Sequence, residues 1–126
     1  MMEKGLKNEI ESVVTEDMLA CNVKSGTLRV FATPMMIALM EQTCMECVMP
    51  YMDEGCGTVG TRVDIEHVAS TPLGMKVKCS CELTEVDNRK LTFSVKVEDE
   101  RGLIGEGTHV RFIVNNERFQ KKTDEK

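Results

Sequence analysis

The chain has 126 residues and a formal net charge of −5 at pH 7. That length suits one folded unit, so we expect a single domain over residues 1–126. The acidic balance argues against a general nucleic-acid-binding protein, which needs a basic face, and no apolar run approaches the roughly 18–20 residues of a membrane span.

Both ends of the chain are mostly charged or polar, and Met1–Asn8 and Lys121–Lys126 are expected to be frayed. No apolar segment follows the charged start, so no signal peptide is predicted. The chain contains six cysteines. Without an export signal they are expected to be reduced thiols, which predicts a cytoplasmic protein.

The first predicted elements are a weak strand over Glu9–Val14 and a long helix from Pro34 to about Met49. Thr33 can cap that helix, and Pro34 suits its first turn. Apolar residues cover most of the helix circumference, which predicts that the helix is largely buried.

Four later segments alternate apolar and polar residues with period two, the pattern of half-buried strands. Short turns separate them, which favours antiparallel neighbours. The predicted strands are Val59–Ala69, Met75–Thr84, Leu91–Glu98 and Ile104–Val114. A buried helix with four or five such strands predicts a two-layer α+β arrangement in which the sheet curls around the helix.

Glu41 is the polar residue that fits the helix least well. On a wheel of about 100° per residue, Ile37 and Cys44 flank it, so it projects from an apolar face. A buried carboxylate responds with a raised pKa or recruits a donor, and such groups concentrate at functional sites. The alternative is a glutamate at a groove or a subunit boundary that reaches solvent through its own length.

His67 is the second polar residue expected to face the core. Strict alternation places it on one face with Val59, Val63 and Ile65. A core histidine bonded to backbone is the structural alternative. Because Glu41 is expected to face the same core, the functional and the structural interpretations of His67 are equally favoured.

His109 is predicted to be less important. It lies off the row formed by Val110, Phe112 and Val114, which is expected to face the core. His109 is therefore expected to point away from the core, and a functional role is the weaker of its two interpretations.

Thr33 and Gly60 are weaker candidates. A capping role explains Thr33, although a helix N-terminus also attracts developing negative charge. Thr33 and Glu41 are about 12 Å apart along the helix axis, so their side chains are not expected to touch, and a substrate carbonyl could lie between them. Gly60 would allow close approach of backbone to a ligand, although turn formation alone also explains it.

The cysteines include the spacing of redox and zinc sites, since Cys44 and Cys47 are separated by two residues. They lie inside an apolar helix, and Cys79 and Cys81 lie on the buried face of a strand. A four-thiol zinc site is the alternative to buried cysteines acting as small apolar side chains. We expect no metal and no cofactor, and no phosphate-binding glycine motif or Gly-x-Ser-x-Gly motif is found.

Three groups of residues, taken in order, carry a family resemblance. They are Val30–Pro34 with Leu39–Glu41, Val59–Thr61 with His67–Gly74, and Gly105–His109. Together they resemble the fluoroacetyl-coenzyme A (CoA) thioesterase family of hot-dog fold acyl-CoA thioesterases. The resemblance implies the hot-dog fold, with one long buried helix wrapped by a curved antiparallel sheet of about five strands. It also implies a homodimer joined at its sheet edges, with acyl-CoA bound near the subunit boundary.

The resemblance further implies hydrolysis of an acyl-CoA thioester. The family's threonine, glutamate and histidine fall on Thr33, Glu41 and His67, and the Gly60 N–H is a candidate for binding the thioester oxygen. Glu41 would attack the thioester or act as base for water, Thr33 would position or polarise the substrate or itself attack, and His67 would carry a proton. The alternatives are a non-catalytic acyl-CoA binder of the same fold and a hot-dog hydratase.

One segment departs from the resemblance. The fluoroacetyl-CoA enzyme carries an aromatic-containing stretch before its helix, whereas Cys21–Val30 is short and contains no aromatic residue. The resemblance therefore implies an acyl-CoA substrate and leaves the acyl chain open.

Overall fold

The computed structural model describes residues 2–126, and its main feature is a long helix lying against a five-stranded antiparallel sheet. The helices are α1 (Ala20–Val23), α2 (Thr33–Val48) and α3 (Asn116–Asp124), with 3-10 turns at Glu16–Met18 and Met49–Tyr51. The strands are β1 (Lys7–Val13), β2 (Cys56–His67), β3 (Lys76–Asp87), β4 (Lys90–Asp99) and β5 (Gly102–Asn115). Their order in the sheet is β1-β3-β4-β5-β2.

The helix α2 contacts all five strands, which confirms the expected α+β arrangement around a buried helix. Its buried residues are Met36, Leu39, Met40, Thr43, Cys44, Cys47 and Val48. They join one core with apolar residues of β3 and β4. The edge strands β1 and β2 lie at opposite ends of the sheet, and β2 borders the less buried side of α2.

The start of α2 differs from the prediction that Thr33 caps it. The helix begins at Thr33, and the capping position is Ala32, whose backbone is extended at φ −74° and ψ 140°. No side chain caps the helix there, while Pro34 lies in the first turn as expected. The Thr33 hydroxyl is therefore available to another partner.

The chain ends are more ordered than predicted. Strand β1 already begins at Lys7, and α3 occupies Asn116–Asp124. Asn115 caps α3, since its side-chain oxygen accepts a hydrogen bond of 2.9 Å from the Arg118 N–H. Asparagine is a preferred capping residue, so a helix start could have been read from the sequence at this point.

A β-bulge changes the phase of β2. The pairing with β5 shifts between Gly60 and Arg62, so that Thr61 is an extra residue. Before the bulge, Gly60 pairs with Arg111 and faces α2, and after it Val63 pairs with His109 on the same inner face. The prediction that Val59 shares a face with His67 is therefore wrong, because strict alternation does not continue through an inserted residue.

The phase predicted for β5 is also wrong around His109 and Arg111, although Ile104 and Val110 of the predicted row are buried. Its inner face carries Gly105, His109 and Arg111, while Phe112 lies on the outer face and is 36% exposed. His109, expected to point away from the core, is 1% exposed. The row that faces α2 is built from glycines and polar residues, so an apolar pattern selects the opposite row.

Candidate active site

The helix start and the end of β2 form the first part of the site. The Thr33 hydroxyl and His67 Nδ1 are 2.7 Å apart, which is hydrogen-bond distance. Both residues line an open cavity of about 350 Å³, together with Phe31 and Ser25. A hydroxyl paired with an imidazole is the arrangement in which a base activates a nucleophile or guides a proton.

The electrostatics of His67 suit a proton acceptor. Burial lowers the pKa of His67, and the nearby Ala69 backbone opposes that shift in part. The ring is therefore neutral at pH 7, and with its proton on Nε2 it can accept the Thr33 hydroxyl proton at Nδ1. Within residues 2–126, the buried His67 Nε2 has no hydrogen-bond partner.

The second part of the site is a carboxylate held by a buried cation. Glu41 Oε2 lies 3.7 Å from Arg111 Nη1, and the side chains are 43% and 7% exposed, respectively. Arg111 is fixed by Thr58, since its Nε donates to Thr58 Oγ1 at 2.8 Å and its Nη2 to Thr58 O at 2.9 Å. Glu41 thus recruits a charged donor, one of the two responses expected of it, and remains open to solvent on one side.

His109 supports this ion pair. Its Nδ1 is 2.8 Å from Arg62 O and its Nε2 is 3.2 Å from Arg111 Nη1. A carbonyl only accepts and a guanidinium only donates, so the His109 proton is on Nδ1 and Nε2 accepts from Arg111. Burial lowers the pKa of His109, which keeps it neutral. Both ring nitrogens are engaged, so His109 orients Arg111 and is not placed to carry protons.

Gly60 makes room for the Glu41 carboxylate. A Cβ at position 60 would lie 2.7 Å from Glu41 Oε2 and 3.2 Å from both Arg111 Nη1 and His109 Cε1. Only glycine lets the backbone pass this close to all three groups. The bulge next to Gly60 also interrupts the regular ladder of backbone hydrogen bonds, which can leave a donor free for a ligand.

The four residues selected from the sequence form two clusters rather than one. Thr33 and His67 are in direct contact, and Glu41 and Gly60 are in direct contact. Eight residues of helix separate the clusters by about 12 Å along α2, as expected. Both clusters border the groove between α2 and β2, so the groove, rather than any single cavity, is the candidate site.

Two site residues, Arg111 and His109, were missed by sequence reasoning. The signal that could have found them is the alternating row of Gly105, Gly107, His109 and Arg111, which is typical of a strand face packed closely against a helix. The sequence prediction turned the apolar row of β5 toward the core, so His109 and Arg111 on the opposite row were not selected.

The cysteines that pack in the core, Cys44, Cys47, Cys79 and Cys81, are buried free thiols. Burial raises the pKa of Cys47 to about 12 and that of Cys79 to about 11. Among residues 2–126, no group of three or more His, Cys, Asp or Glu side chains is arranged to hold a metal ion. In the same part of the chain, no helix has the length and apolar character that a bilayer-spanning segment requires.

Comparisons with known proteins place this chain in a family. The sequence profile of the fluoroacetyl-CoA-specific thioesterase family matches residues 14–117. The fluoroacetyl-CoA thioesterase of Streptantibioticus cattleyicolor is 39% identical over 97 residues, which are 77% of this chain and 70% of that protein.

Solved structures give the same result and confirm the hot-dog fold. A structure of the fluoroacetyl-CoA thioesterase FlK superposes with a TM-score of 0.95 at 32% identity, covering 100% of this chain and 98% of that one. A thioesterase superfamily member from Thermus thermophilus gives 0.91 at 25% identity, covering 99% and 93%. A hot-dog-like protein from Thermanaerovibrio acidaminovorans gives 0.89 at 21% identity, covering 98% and 92%, which bears on the fold alone. The chain therefore belongs to the fluoroacetyl-CoA-specific thioesterase family, as its sequence motifs implied.

Proposed function

We propose that this protein hydrolyses an acyl-CoA thioester to a carboxylic acid and free CoA. The observation that carries the proposal is the Thr33–His67 hydrogen bond of 2.7 Å at the start of α2. It lies in a groove that also holds the Glu41 carboxylate, in a chain that belongs to a thioesterase family. A hydroxyl, a neutral imidazole and a carboxylate are sufficient for acyl transfer to water.

The contact between Thr33 and His67 favours Thr33 as the nucleophile. Its oxygen attacks the thioester carbonyl carbon while His67 Nδ1 takes the hydroxyl proton. The carbon–sulfur bond then breaks, and the CoA thiolate leaves with a proton returned by His67. Water, deprotonated by a Glu41 carboxylate, attacks the acyl carbonyl carbon. The ester carbon–oxygen bond then breaks, Thr33 leaves as its hydroxyl with that proton, and the carboxylic acid is released. N–H groups at the start of α2 and the Gly60 N–H stabilise the oxyanion, and such stabilisation often contributes more to catalysis than any other single effect.

A competing route uses the same residues, with Glu41 attacking the thioester to give an anhydride. The two routes differ in which residue carries the acyl group. Mass spectrometry of acid-quenched enzyme, with fragment ions that separate Thr33 from Glu41, should locate the acyl mass on Thr33. An acyl mass on Glu41, or a Thr33→Ala variant with wild-type turnover, would assign the attack to Glu41 or to water.

The substrate class we propose is an acyl-CoA without special selectivity for fluoroacetyl. The segment before α2 contributes Ser25, Val30 and Phe31 to the cavity. Phe31 is a core residue that is 2% exposed, and residues 21–30 contain no aromatic side chain. A thiol-release assay should therefore give similar kcat/KM values for acetyl-CoA and fluoroacetyl-CoA. Preference for fluoroacetyl-CoA by more than about tenfold would contradict this assignment. Binding of acyl-CoA without thiol release would instead identify a non-catalytic binder.

We infer a homodimer that shares its active sites. The edge strand β2 borders a groove in which Val63 is 38% exposed, and Met49 next to α2 is 54% exposed. Open edges and exposed apolar residues are managed by pairing with a second copy. Pairing across the groove would bring Glu41 of one subunit toward the Thr33–His67 pair of the other, which resolves the separation of about 12 Å within one chain.

Mixed dimers test this arrangement. Glu41→Gln and His67→Ala subunits, each inactive alone, are refolded together in equal amounts. A shared site regenerates one intact site in each mixed dimer, so about a quarter of wild-type activity is expected for random pairing. No recovery in mixed dimers would place all three residues in one subunit, and light scattering that shows a monomer would rule out the dimer.

We also propose that the chain is one domain and acts in the cytoplasm, on a small-molecule substrate rather than on nucleic acid.

A further inference from the structure

Thr58, two residues before Gly60 on β2, holds the buried cation of the site through two separate atoms. Its side-chain oxygen accepts from Arg111 Nε at 2.8 Å, and its backbone oxygen accepts from Arg111 Nη2 at 2.9 Å. Nε and Nη2 form one edge of the planar guanidinium fork, so a single residue occupies that edge. Thr58 therefore fixes the plane of the guanidinium.

The third guanidinium nitrogen is the one near the carboxylate. Nη1 lies 3.2 Å from His109 Nε2 and 3.7 Å from Glu41 Oε2. The distance to Glu41 exceeds the usual hydrogen-bond range, so the attraction between the two charges does not by itself fix the direction of either group. The orientation of the cation depends on its two uncharged partners, Thr58 and His109.

The two bonds from Thr58 differ in how they respond to a substitution. Thr58 pairs with Ile113 of β5 in the sheet, so its backbone oxygen stays in place when the side chain changes. The hydroxyl can be removed alone. Its loss would leave Nε–H without an acceptor on an Arg111 side chain that is only 7% exposed, where water gives little compensation.

The guanidinium is then expected to turn in order to regain an acceptor for Nε–H. Because the fork is rigid and planar, any turn that moves Nε also moves Nη1. Nη1 would shift relative to Glu41 Oε2, and the carboxylate would lose the position that the cation gives it. The hydroxyl of Thr58 thus reaches Glu41 through Arg111.

We propose that Thr58 is a positioning residue for the thioesterase reaction, whose hydroxyl orients Arg111 so that Arg111 holds the Glu41 carboxylate at the groove. The inference rests on the proposed function for the reaction that it affects. Thr58 takes no part in the bond changes themselves, and it acts on the geometry of the carboxylate rather than on substrate binding.

Kinetics of matched threonine variants give the first test. Thr58→Val removes the hydroxyl and keeps the β-branched shape that suits a strand. Displacement of the carboxylate by about 1 Å should lower kcat roughly 10–100-fold, with KM within about twofold of wild type. Thr58→Ser keeps a hydroxyl and should restore most of kcat. The control is Thr84→Val, which removes a hydroxyl that bonds to Thr92 O at 3.1 Å on neighbouring strands.

A kcat of Thr58→Val equal to that of wild type would overturn the proposal. An equal loss of kcat in Thr58→Ser and Thr58→Val would also overturn it, because the hydroxyl would then not be the group that matters.

A double-mutant cycle tests whether the effect passes through the guanidinium. Arg111→Met removes every donor that Thr58 holds and keeps a long side chain. In that background, Thr58→Val should change the residual kcat by less than about twofold, because the two changes break one connection. Losses of kcat that multiply would show that Thr58 acts independently of Arg111 and would overturn the proposal.

Hydrogen exchange of the Arg111 Nε–H, followed by NMR, tests the contact without turnover. Arg111→Met identifies the signal. Exchange with water should be slow in the wild type and in Thr84→Val, and about tenfold faster in Thr58→Val, because one hydrogen bond is lost. Equal exchange in wild type and Thr58→Val would overturn the proposal whatever the activity of the protein.

The measurements separate this proposal from the proposed function. Slow exchange that depends on Thr58, in a protein that releases no thiol from any acyl-CoA, would support the contact and remove the thioesterase activity. Thiol release that is unchanged in Thr58→Val would support the activity and remove the positioning role.

Discussion

The two sides of α2 face different surroundings. Toward β3 and β4 the helix packs on fully buried apolar residues such as Leu83 and Phe93. Toward β2 and β5 it faces Gly60, His109 and Arg111, and the groove between the elements is partly open. One helix thus separates a region that provides stability from a region that provides polar groups.

The same contrast holds for ionisable groups. On the apolar side, burial raises the pKa of Cys47 and Cys79 to about 12 and 11, so their thiols stay protonated and unreactive. On the polar side, burial lowers the pKa of His67, which leaves its ring neutral and able to accept a proton. Burial therefore keeps Cys47 and Cys79 unreactive on one side and keeps the His67 base neutral on the other.

The largest effect on turnover is expected for Glu41→Gln. The amide keeps the shape of the side chain, but it carries no charge and cannot act as base or nucleophile, so kcat should fall about 10²–10⁴-fold. Thermal melting should show a folded protein of nearly unchanged stability. The matched control is Glu46→Gln on the same helix, where the exposed carboxylate accepts from Gln42 at 2.8 Å. Near wild-type turnover of Glu41→Gln would remove Glu41 from the mechanism.

His67→Ala should reduce kcat by about a hundredfold, because the proton acceptor of Thr33 is lost. The pH profile provides a sharper readout. The pKa of His67 is lowered, so the active neutral form is retained at pH 7, and wild-type activity should decline only as pH falls through a value below about 6.5. That acid limb should be missing from the residual activity of His67→Ala.

His109→Ala is the informative comparison for His67→Ala. Because His109 is buried and bonded at both ring nitrogens, its loss should lower the free energy of unfolding by about 1–3 kcal/mol. Turnover per folded molecule should fall less than in His67→Ala. If His109→Ala were the more damaging change to turnover, the proton-carrying role would belong to His109.

Gly60→Ala should have an intermediate effect. The new methyl group would approach Glu41 Oε2 to 2.7 Å, and the carboxylate, at the flexible end of its side chain, would move away. A displacement of about 1 Å can cost up to 10²-fold in rate, so kcat should fall while the melting temperature changes little. Gly26→Ala, where the added Cβ makes an ordinary 3.4 Å contact with Ala20, is the control. An unchanged kcat would show that the position of the Glu41 carboxylate does not matter.

The smallest effect on turnover is expected on the apolar side of α2. Leu83→Ala removes a side chain that is 0% exposed and should lower the free energy of unfolding by about 2–5 kcal/mol. Turnover per folded molecule should stay within about twofold of wild type, measured below the melting transition. Val86→Ala, at a 37% exposed position of the same strand, should change neither quantity appreciably. A large loss of turnover in Leu83→Ala would show that the apolar side of α2 also determines the catalytic rate.

Much of the fold could be predicted because its elements obey simple periodicities. Strands β3 and β4 alternate on the buried face of the sheet, and their predicted segments nearly coincide with Lys76–Asp87 and Lys90–Asp99. The helix was visible from its apolar circumference and from Pro34. The placement of Glu41 at the edge of a groove was one of the two interpretations that its position on the helix allowed.

The parts that could not be predicted have physical causes. The bulge at Thr61 has no signal in an apolar pattern, so Val59 was assigned to the wrong face. The inner row of β5 consists mainly of glycines and polar residues. His109 accepts a hydrogen bond from Arg111 there, a contact that the sequence does not show, so both residues resemble surface residues in the sequence. Thr33 was expected to cap α2, because a sequence does not show that a histidine distant in the chain competes for its hydroxyl.

The extra residue in β2 shifts the alternation of inward-facing and outward-facing side chains by one position. Gly60 and His67 are an odd number of residues apart, yet both face the helix, because Thr61 adds one step to the alternation. Removing any single residue between them without removing the bulge would turn one of the two away from the groove. Deletions and insertions in this stretch are therefore expected to be tolerated in pairs, or singly where the change also removes the bulge.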